Sequence, residues 1–131
     1  MGQPAAKQGD KILAVDTHII MIPSPSGTVP TPIPHPFVGM INGGLSSNVK
    51  IGGMPAATLG STADNIPPHV PQGGPFQRPP LNKATIIKGS ATVMINKKPA
   101  ARMGDMALTC NDPTDLPVGT VMAVGNVLIG G

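Results

Sequence analysis

A seven-residue pattern, Pro-Ala-Ala-x-x-Gly followed by Asp or Ser, occurs three times in this 131-residue chain. The copies begin at Pro4, Pro55 and Pro99. Internal repetition on this scale indicates that one supersecondary unit is used several times. The copies are unevenly spaced, whereas the repeats of a long solenoid keep a steady period because each stacks on an equivalent neighbour. We therefore predict three units arranged about a pseudo-threefold axis.

Each unit is expected to contain a small β-hairpin. Two apolar alternations precede the second and third motifs: Val49-Lys50-Ile51 and Val93-Met94-Ile95. Between each alternation and its motif lie two turn residues, Gly52-Gly53 in one case and Asn96-Lys97 in the other. Glycine and asparagine tolerate the positive φ of a two-residue hairpin turn. The first motif has no such strand before it, while Val127-Leu128-Ile129 has no motif after it. We expect the N-terminal and C-terminal segments to pair and complete this unit.

The fold class predicted for residues 1–131 is all-β, as a single domain with little helix. The 17 prolines recur too often for a long amphipathic helix, and no window shows a convincing 3.6-residue period. The candidate strands are Ile12–Val15, Thr17–Ile22, Asn48–Ile51, Met54–Ala57, Ala84–Ile87, Thr92–Ile95, Pro99–Met103, Thr120–Val124 and Asn126–Ile129. Two Pro-rich stretches, Pro23–Phe37 and Ile66–Pro80, are expected to be long, extended or polyproline-like loops.

Composition excludes several function classes. With no Trp or Tyr and only two Phe, the chain has little on which to stack bases, so nucleic-acid binding is not expected. A single cysteine cannot form an internal disulfide, and no segment has the character of a signal peptide or a membrane helix. A chain with so much Gly and Pro buries modest apolar area, and small scaffolds of this kind commonly need a metal or a permanent partner.

The histidines and the cysteine are candidate metal ligands. His18 and His69 each lie 14 residues after the proline of their motif, and Cys110 lies 11 residues after Pro99. If the units are symmetry mates, these three side chains converge, and His35, which no repeat places, could supply a fourth ligand. Imidazole nitrogen and thiolate sulfur in a tetrahedral set suit zinc, and four protein ligands make the site structural. The alternative is solvated histidines and a buried, inert cysteine.

At this point the residues match a known family. The segment Pro99-Ala100-Ala101-Arg102 spells the proline-alanine-alanine-arginine motif, and the chain resembles PAAR-repeat proteins, specifically their PAAR-like branch. Lys7 and Thr58 stand in place of the arginine in the other two copies. The segments that carry the similarity are Met40–Ile51, Pro67–Phe76 and Ala91–Asp112.

The resemblance implies a short conical β-structure, built from three motif hairpins, that sharpens the tip of a trimeric spike. Such tips belong to type VI secretion and to related contractile injection systems and phage tails. The broad base is expected to bind the blunt end of a trimeric β-helix of the valine-glycine-repeat type, with one chain per spike. The resemblance also implies one zinc ion, which carries onto His18, His35, His69 and Cys110.

Further expectations concern cargo and location. Toxin effectors are a further class of partner, and the chain ends at Gly131, so any toxin is expected to bind non-covalently. Contact with the target membrane should be transient. The protein is expected to be made in the bacterial cytoplasm and exported with the apparatus, without a signal peptide.

Two other function classes compete with this interpretation. A small zinc or thiol hydrolase would use Cys110 as nucleophile and a histidine as base. Against it, all six carboxylates are Asp, and Asp10 and Asp105 occupy equivalent motif positions, where they are predicted to cap turns. A Pro-rich peptide-binding module would present an aromatic-lined groove, for which Phe37 and Phe76 are too few. We expect a structural protein without enzymatic activity.

Overall fold

The computed structural model describes residues 2–130, which consist of β-strands, turns and extended segments. The predicted all-β class is confirmed. None of the described residues belongs to a helix, so none belongs to a helix that could cross a membrane. The strands are β1 (Gln3–Pro4), β2 (Lys11–Ser24), β3 (Gly27–Gly43), β4 (Lys50–Ile51), β5 (Met54–Pro55), β6 (Thr62–Asn65), β7 (Lys83–Ile86), β8 (Met94–Ile95), β9 (Lys98–Pro99), β10 (Met106–Thr109), β11 (Leu116–Met122) and β12 (Leu128–Ile129).

Six of the strands close into an antiparallel barrel in the order β10, β11, β2, β3, β6 and β7. Each motif is followed by one pair of barrel strands: β2–β3 after Pro4, β6–β7 after Pro55 and β10–β11 after Pro99. The repeated sequence unit is therefore a repeated structural unit. Closure leaves this sheet without free edges around the barrel.

Three two-stranded sheets lie outside the barrel, formed by β4–β5, β8–β9 and β1–β12. We call them the three small hairpins, although β1 and β12 come from opposite ends of the chain. In the last of these, Gln3 pairs with Ile129, so the two ends of the chain complete one unit. The turn residues have the positive φ values that a two-residue turn requires, 58° and 85° at Gly52 and Gly53 and 53° and 67° at Asn96 and Lys97.

A closed ring of backbone hydrogen bonds joins the three motifs. The Ala6 N–H donates to the Ala101 carbonyl (2.9 Å), the Ala101 N–H to the Ala57 carbonyl (3.1 Å), and the Ala57 N–H to the Ala6 carbonyl (3.0 Å). All three alanines are fully buried. Small side chains are required here because three chain segments meet at one axis. We call these residues the alanine ring.

The last motif position caps the turn that leaves the ring. Carboxylate oxygens of Asp10 and Asp105 accept hydrogen bonds from the N–H groups of Lys7 (3.1 Å) and Arg102 (2.8 Å). In the second copy Ser61 Oγ accepts the corresponding bond, at 2.9 Å. The preceding glycine has φ near 90° in every copy, which favours glycine. The predicted turn-capping role of the two aspartates is confirmed.

The expectation that Pro23–Phe37 forms a loop is wrong. Most of this stretch belongs to β3, which pairs with β2 as far as the contact between Ser24 and Gly27. In place of a loop there is a long hairpin whose tip extends past the ends of the other barrel strands.

Alternation explains how so many prolines fit into β3. They occupy every second position (Pro30, Pro32, Pro34 and Pro36) and lie opposite odd-numbered residues of β2. Those residues direct their backbone groups away from β3: the Met21 N–H donates to the Pro75 carbonyl, and the Ile19 carbonyl accepts from the Gln77 N–H. The proline nitrogens, which have no hydrogen to donate, therefore lie on the edge of β3 that faces away from β2. No hydrogen bond between β2 and β3 is lost.

The second Pro-rich stretch, Ile66–Pro80, contains no named strand and lies along β2, with an isolated bridge between Ile20 and Phe76. Beyond the ends of β6, β7 and β10, this segment and the residues that follow Cys110 accompany the long hairpin, so fewer strands lie side by side away from the alanine ring. The main core fills the barrel with alanines and with Ile12, Phe37 and other buried apolar side chains.

Candidate metal centre

A buried polar cluster lies in the narrowing part of the molecule, away from the alanine ring. Asp16 and His18 lie on β2, His69 lies in the Pro-rich segment after β6, and Cys110 directly follows β10. Because a strand rises about 3.3 Å per residue, His18 is roughly 23 Å along β2 from Lys11 at its start. One ligand atom from each of the four residues lies within 4.8 Å of the others, and all four residues are buried. The cluster could hold a metal ion.

His35 lies beside these residues but outside the group of four. Its ring centroid is 5.5 Å from that of His18 and 5.4 Å from that of His69. The Nδ1 atom donates to the Ile33 carbonyl at 2.8 Å, so the free lone pair is on Nε2. That Nε2 atom is buried and has no hydrogen-bond partner. Such an orphaned nitrogen needs a partner, and a cation would be one.

The spacing of the side chains fits a tetrahedral ion. The His18 and His69 ring centroids are 4.9 Å apart, so the three imidazoles form a nearly equilateral triangle with His35. Three imidazoles on one tetrahedral zinc would have centroids about 5 Å apart. Cys110 Sγ lies 3.7 Å from His18 Nε2, and sulfur and nitrogen ligands of such an ion are about 3.6 Å apart.

The other side of His18 faces a second carboxylate. Asp112 Oδ2 is 3.6 Å from His18 Nδ1, and the same oxygen accepts a hydrogen bond from the Ile19 N–H at 2.8 Å. Arg78 Nε donates to Asp112 Oδ1 at 3.1 Å. The 3.6 Å between Asp112 Oδ2 and His18 Nδ1 is longer than a hydrogen bond, and the buried His18 Nδ1 has no hydrogen-bond partner. Arg78 also ties the Pro-rich segment to the residues that follow Cys110.

Burial controls the charge of the centre. It lowers the pKa of His18, and the neighbouring His69 lowers it further. Burial also raises the pKa of the Cys110 thiol to about 11, with the negative charge of Asp16 as the second cause. Without a metal, His18 is therefore neutral and the thiol is protonated. Because the thiolate is the form that binds a cation, metal binding must displace the thiol proton.

Sequence reasoning missed Asp16. Its side chain is fully buried, its Oδ1 accepts a hydrogen bond from Thr109 Oγ1 at 2.5 Å, and its Oδ2 accepts one from His69 Nε2 at 2.9 Å. The ligands predicted from the sequence were histidines and the cysteine only, so a carboxylate was not among them. The available signal was local, since Asp16 and His18 are two residues apart on a strand and therefore face the same side.

Comparison with known proteins agrees with the repeated motif. The family model described as "PAAR motif" matches residues 1–113 and again residues 77–131, so the matches span the whole chain. The chain belongs to the PAAR motif family. A search of curated proteins finds no match to it. The motif prolines precede the alanine ring in all three copies, so in this PAAR chain the family's defining residues build its pseudo-threefold axis.

Proposed function

We propose that this PAAR protein is the tip of a trimeric spike in a contractile injection system, such as a type VI secretion system or a phage-tail-like machine. The observation that carries the proposal is the alanine ring, in which one chain presents three equivalent segments about a single axis. A pseudo-threefold surface can contact three identical subunits in the same way, which no asymmetric fold does. A structural role without catalysis follows from this interpretation.

The three small hairpins are the proposed docking surface for the blunt end of a valine-glycine-repeat spike. Each hairpin buries one isoleucine at an equivalent position, Ile51, Ile95 or Ile129. The residue before it points outward, and two of these side chains are large and apolar: Met94 is 56% exposed and Leu128 is 60% exposed. Exposed apolar side chains repeated about an axis support a symmetric interface.

The metal centre is proposed to hold one zinc ion as a structural staple. Family resemblance assigns His18, His35, His69 and Cys110 to it, and the buried donors and their spacing support a tetrahedral nitrogen and sulfur site. A bound zinc ion would cross-link β2, the Pro-rich segment and the end of β10. This matters most where the barrel has already narrowed and little apolar core remains.

The proposed point of the spike is the long hairpin. The prolines along its outward edge leave few N–H donors for another strand, so this edge resists strand addition. Such an edge suits transient contact with a target membrane. We further propose that one copy caps each spike, that toxin effectors are a further class of partner, and that the protein leaves the bacterial cytoplasm with the apparatus.

Binding to the trimeric spike of the same system tests the proposal. We expect one chain per trimer, and we expect Leu128→Asp and Met94→Asp each to weaken binding at least tenfold because they place a charge in an apolar contact. Leu13→Asp, on the barrel wall at 39% exposure, is the matched control and should bind normally. No binding by the folded wild-type protein, or equal loss with the control, would contradict a role at the spike tip.

A further inference from the structure

We infer that the partner surface that binds the three small hairpins is made of apolar sites, each with a carboxylate at its rim. This inference rests on the proposed docking of the hairpins on a trimeric spike, and it adds the chemistry of the spike surface. It follows from the side chains that occupy equivalent places in the three hairpins.

One set of equivalent places lies just before the buried isoleucine of each hairpin. Lys50, Met94 and Leu128 occupy these places, and each is paired with the motif proline of its own hairpin. All three side chains are exposed. In one unit, a lysine therefore stands where the other two units have a large apolar residue.

A second set shows the same exchange in the opposite direction. Met54, Lys98 and Gln3 precede the motif prolines, and each is paired with the buried isoleucine of its hairpin. All three are exposed. The β4–β5 and β8–β9 hairpins therefore each present one methionine and one lysine, at exchanged places. Lysine and methionine both have a long unbranched stem that can lie along an apolar surface.

The symmetry of the partner restricts what can lie opposite these side chains. A closed trimer presents each of its sites three times, once to each hairpin. The site that accepts Lys50 is therefore chemically identical to the sites that accept Met94 and Leu128. Its wall is apolar, because the other two side chains would otherwise lie against polar groups. Lys50 can lie along the same wall with its methylene stem while its ammonium group reaches the rim.

The charge of the hairpins determines what is expected at that rim. Their strands and turns contain three lysines, Lys50, Lys97 and Lys98, and no aspartate or glutamate. Among residues 2–130, none of these lysines has an ion-pair partner. Interfaces place opposite charges across from one another, and like charges in contact are unfavourable. The hairpins therefore match an acidic partner surface.

The carboxylate belongs at the rim of each site and not at its centre. An ionised carboxylate enclosed by Met94 or Leu128 would lose its hydration without gaining a partner, which is costly. At the rim it stays hydrated in two of the three sites and pairs with Lys50 in the third. Exposed pairs of this kind add little affinity individually, but they determine which charge the site accepts.

Lysine and aspartate at position 94 test the inference by the sign of the charge. Met94→Lys places an ammonium group where the partner already accepts Lys50, so this variant should bind the purified trimeric spike within about fivefold of the wild-type affinity. Met94→Asp brings a second negative charge to the same rim and should weaken binding by about tenfold or more. Equal loss in the two variants would overturn the carboxylate, because a purely apolar site disfavours either charge.

Charge reversal at two lysines separates a local site from an effect of net charge. Lys50→Glu should weaken spike binding by about tenfold or more. Lys83→Glu changes the net charge by the same amount at a 55% exposed side chain on the barrel wall, and this control should bind normally. Equal loss in both variants would show that only the net charge matters and would overturn the inference.

Salt dependence of the wild-type protein provides a test if a variant does not fold. Salt screens exposed charges, so spike affinity should fall by about fivefold or more between about 50 and about 500 mM NaCl. Binding that does not change with salt would overturn the rim carboxylates while leaving the docking of the hairpins in place. A folded wild-type protein that binds no spike at any salt concentration would instead contradict the proposed function.

Discussion

The alanine ring and the metal centre are built in opposite ways. In the ring, three copies of one sequence motif meet through backbone groups, and each copy makes the same hydrogen bond. In the candidate metal centre, each unit contributes different side chains: Asp16, His18 and the neighbouring His35 come from the first unit, His69 from the second and Cys110 from the third. The ring is built from residues that the three repeats have in common, whereas the candidate metal centre is built from residues in which they differ.

The difference separates two tasks. Under the proposed function, the symmetric base would contact a threefold partner, while the narrow end would need only a metal ion to hold its segments together. The ring alanines belong to the main apolar core, whereas the Pro-rich segment around His69 has no named strand and few buried apolar residues. We therefore expect the base to be insensitive to metal and the narrow end to depend on it.

The largest effect is expected from a substitution in the ring. Ala57→Leu adds a large side chain where the residue is fully buried and both backbone groups are bonded to the other two copies. Overpacking a tight core typically costs about 1–3 kcal/mol, and the shared axis leaves no direction for relief, so we expect about 3 kcal/mol or more of destabilisation. Chemical denaturation followed by circular dichroism measures it.

Ala91→Leu is the matched control for the ring, because Ala91 is exposed in the loop before β8. Its free energy of unfolding should stay within about 0.5 kcal/mol of the wild-type value. Equal stability of the Ala57 variant and this control would show that the ring is not tightly packed.

Cys110→Ser should produce the next largest effect, confined to the metal-loaded protein. A ligand that binds only the folded state at 100 times its Kd stabilises it by about 2.7 kcal/mol. We expect the substitution to lower zinc content and Tm together, and a chelator to lower the wild-type Tm by a similar amount while leaving the variant unchanged. A wild-type Tm that full chelation leaves unchanged would contradict the claim that a bound metal ion stabilises the fold.

Acidification should weaken metal binding. Because burial raises the pKa of Cys110 to about 11, the thiol stays protonated below that pH in the metal-free protein, and a cation must displace its proton. Apparent affinity should therefore rise with pH, by about tenfold per unit for each proton released, or about 1.4 kcal/mol. Zinc Kd values at pH 6, 7 and 8 test this, and equal values would contradict proton displacement.

The smallest effect is expected at Arg78. Its pair with Asp112 (3.0 Å) joins the Pro-rich segment to the chain after Cys110, but the Arg78 side chain is half exposed. Solvent-exposed pairs contribute about 0–1 kcal/mol. Arg78→Ala should lose less than 1 kcal/mol, yet more than Lys83→Ala, whose pair with Asp64 is longer and exposed at both ends. Thermal unfolding measures both variants, and equal destabilisation would show that the Arg78–Asp112 pair contributes no more than the exposed pair.

The sequence predicted the ring region better than the narrow end, for a physical reason. The motif prolines, the turn glycines and the capping Asp10 and Asp105 are local features that recur, so comparison of the copies identifies them. The strand character of β3 was missed because proline usually breaks strands, and only its alternate spacing reveals that the donors lost lie on one edge.

The metal centre was only partly predictable. Repeat spacing placed His18, His69 and Cys110 near one another because strand pairs in each unit start from equivalent points. Asp16 was missed because its role depends on where its two oxygens lie relative to Thr109 and His69, which are distant in sequence. The spacing from His18 shows that the two side chains share a face of the strand, but only these tertiary contacts show where the Asp16 oxygens lie.

Hydrogen exchange with and without zinc tests the central claim most directly, namely that base and narrow end are held by separate means. We predict that chelation deprotects amides of residues 66–80 and 110–112 while the amides of Ala6, Ala57 and Ala101 keep their protection. Uniform deprotection of the whole chain, or no change near Cys110, would contradict the account.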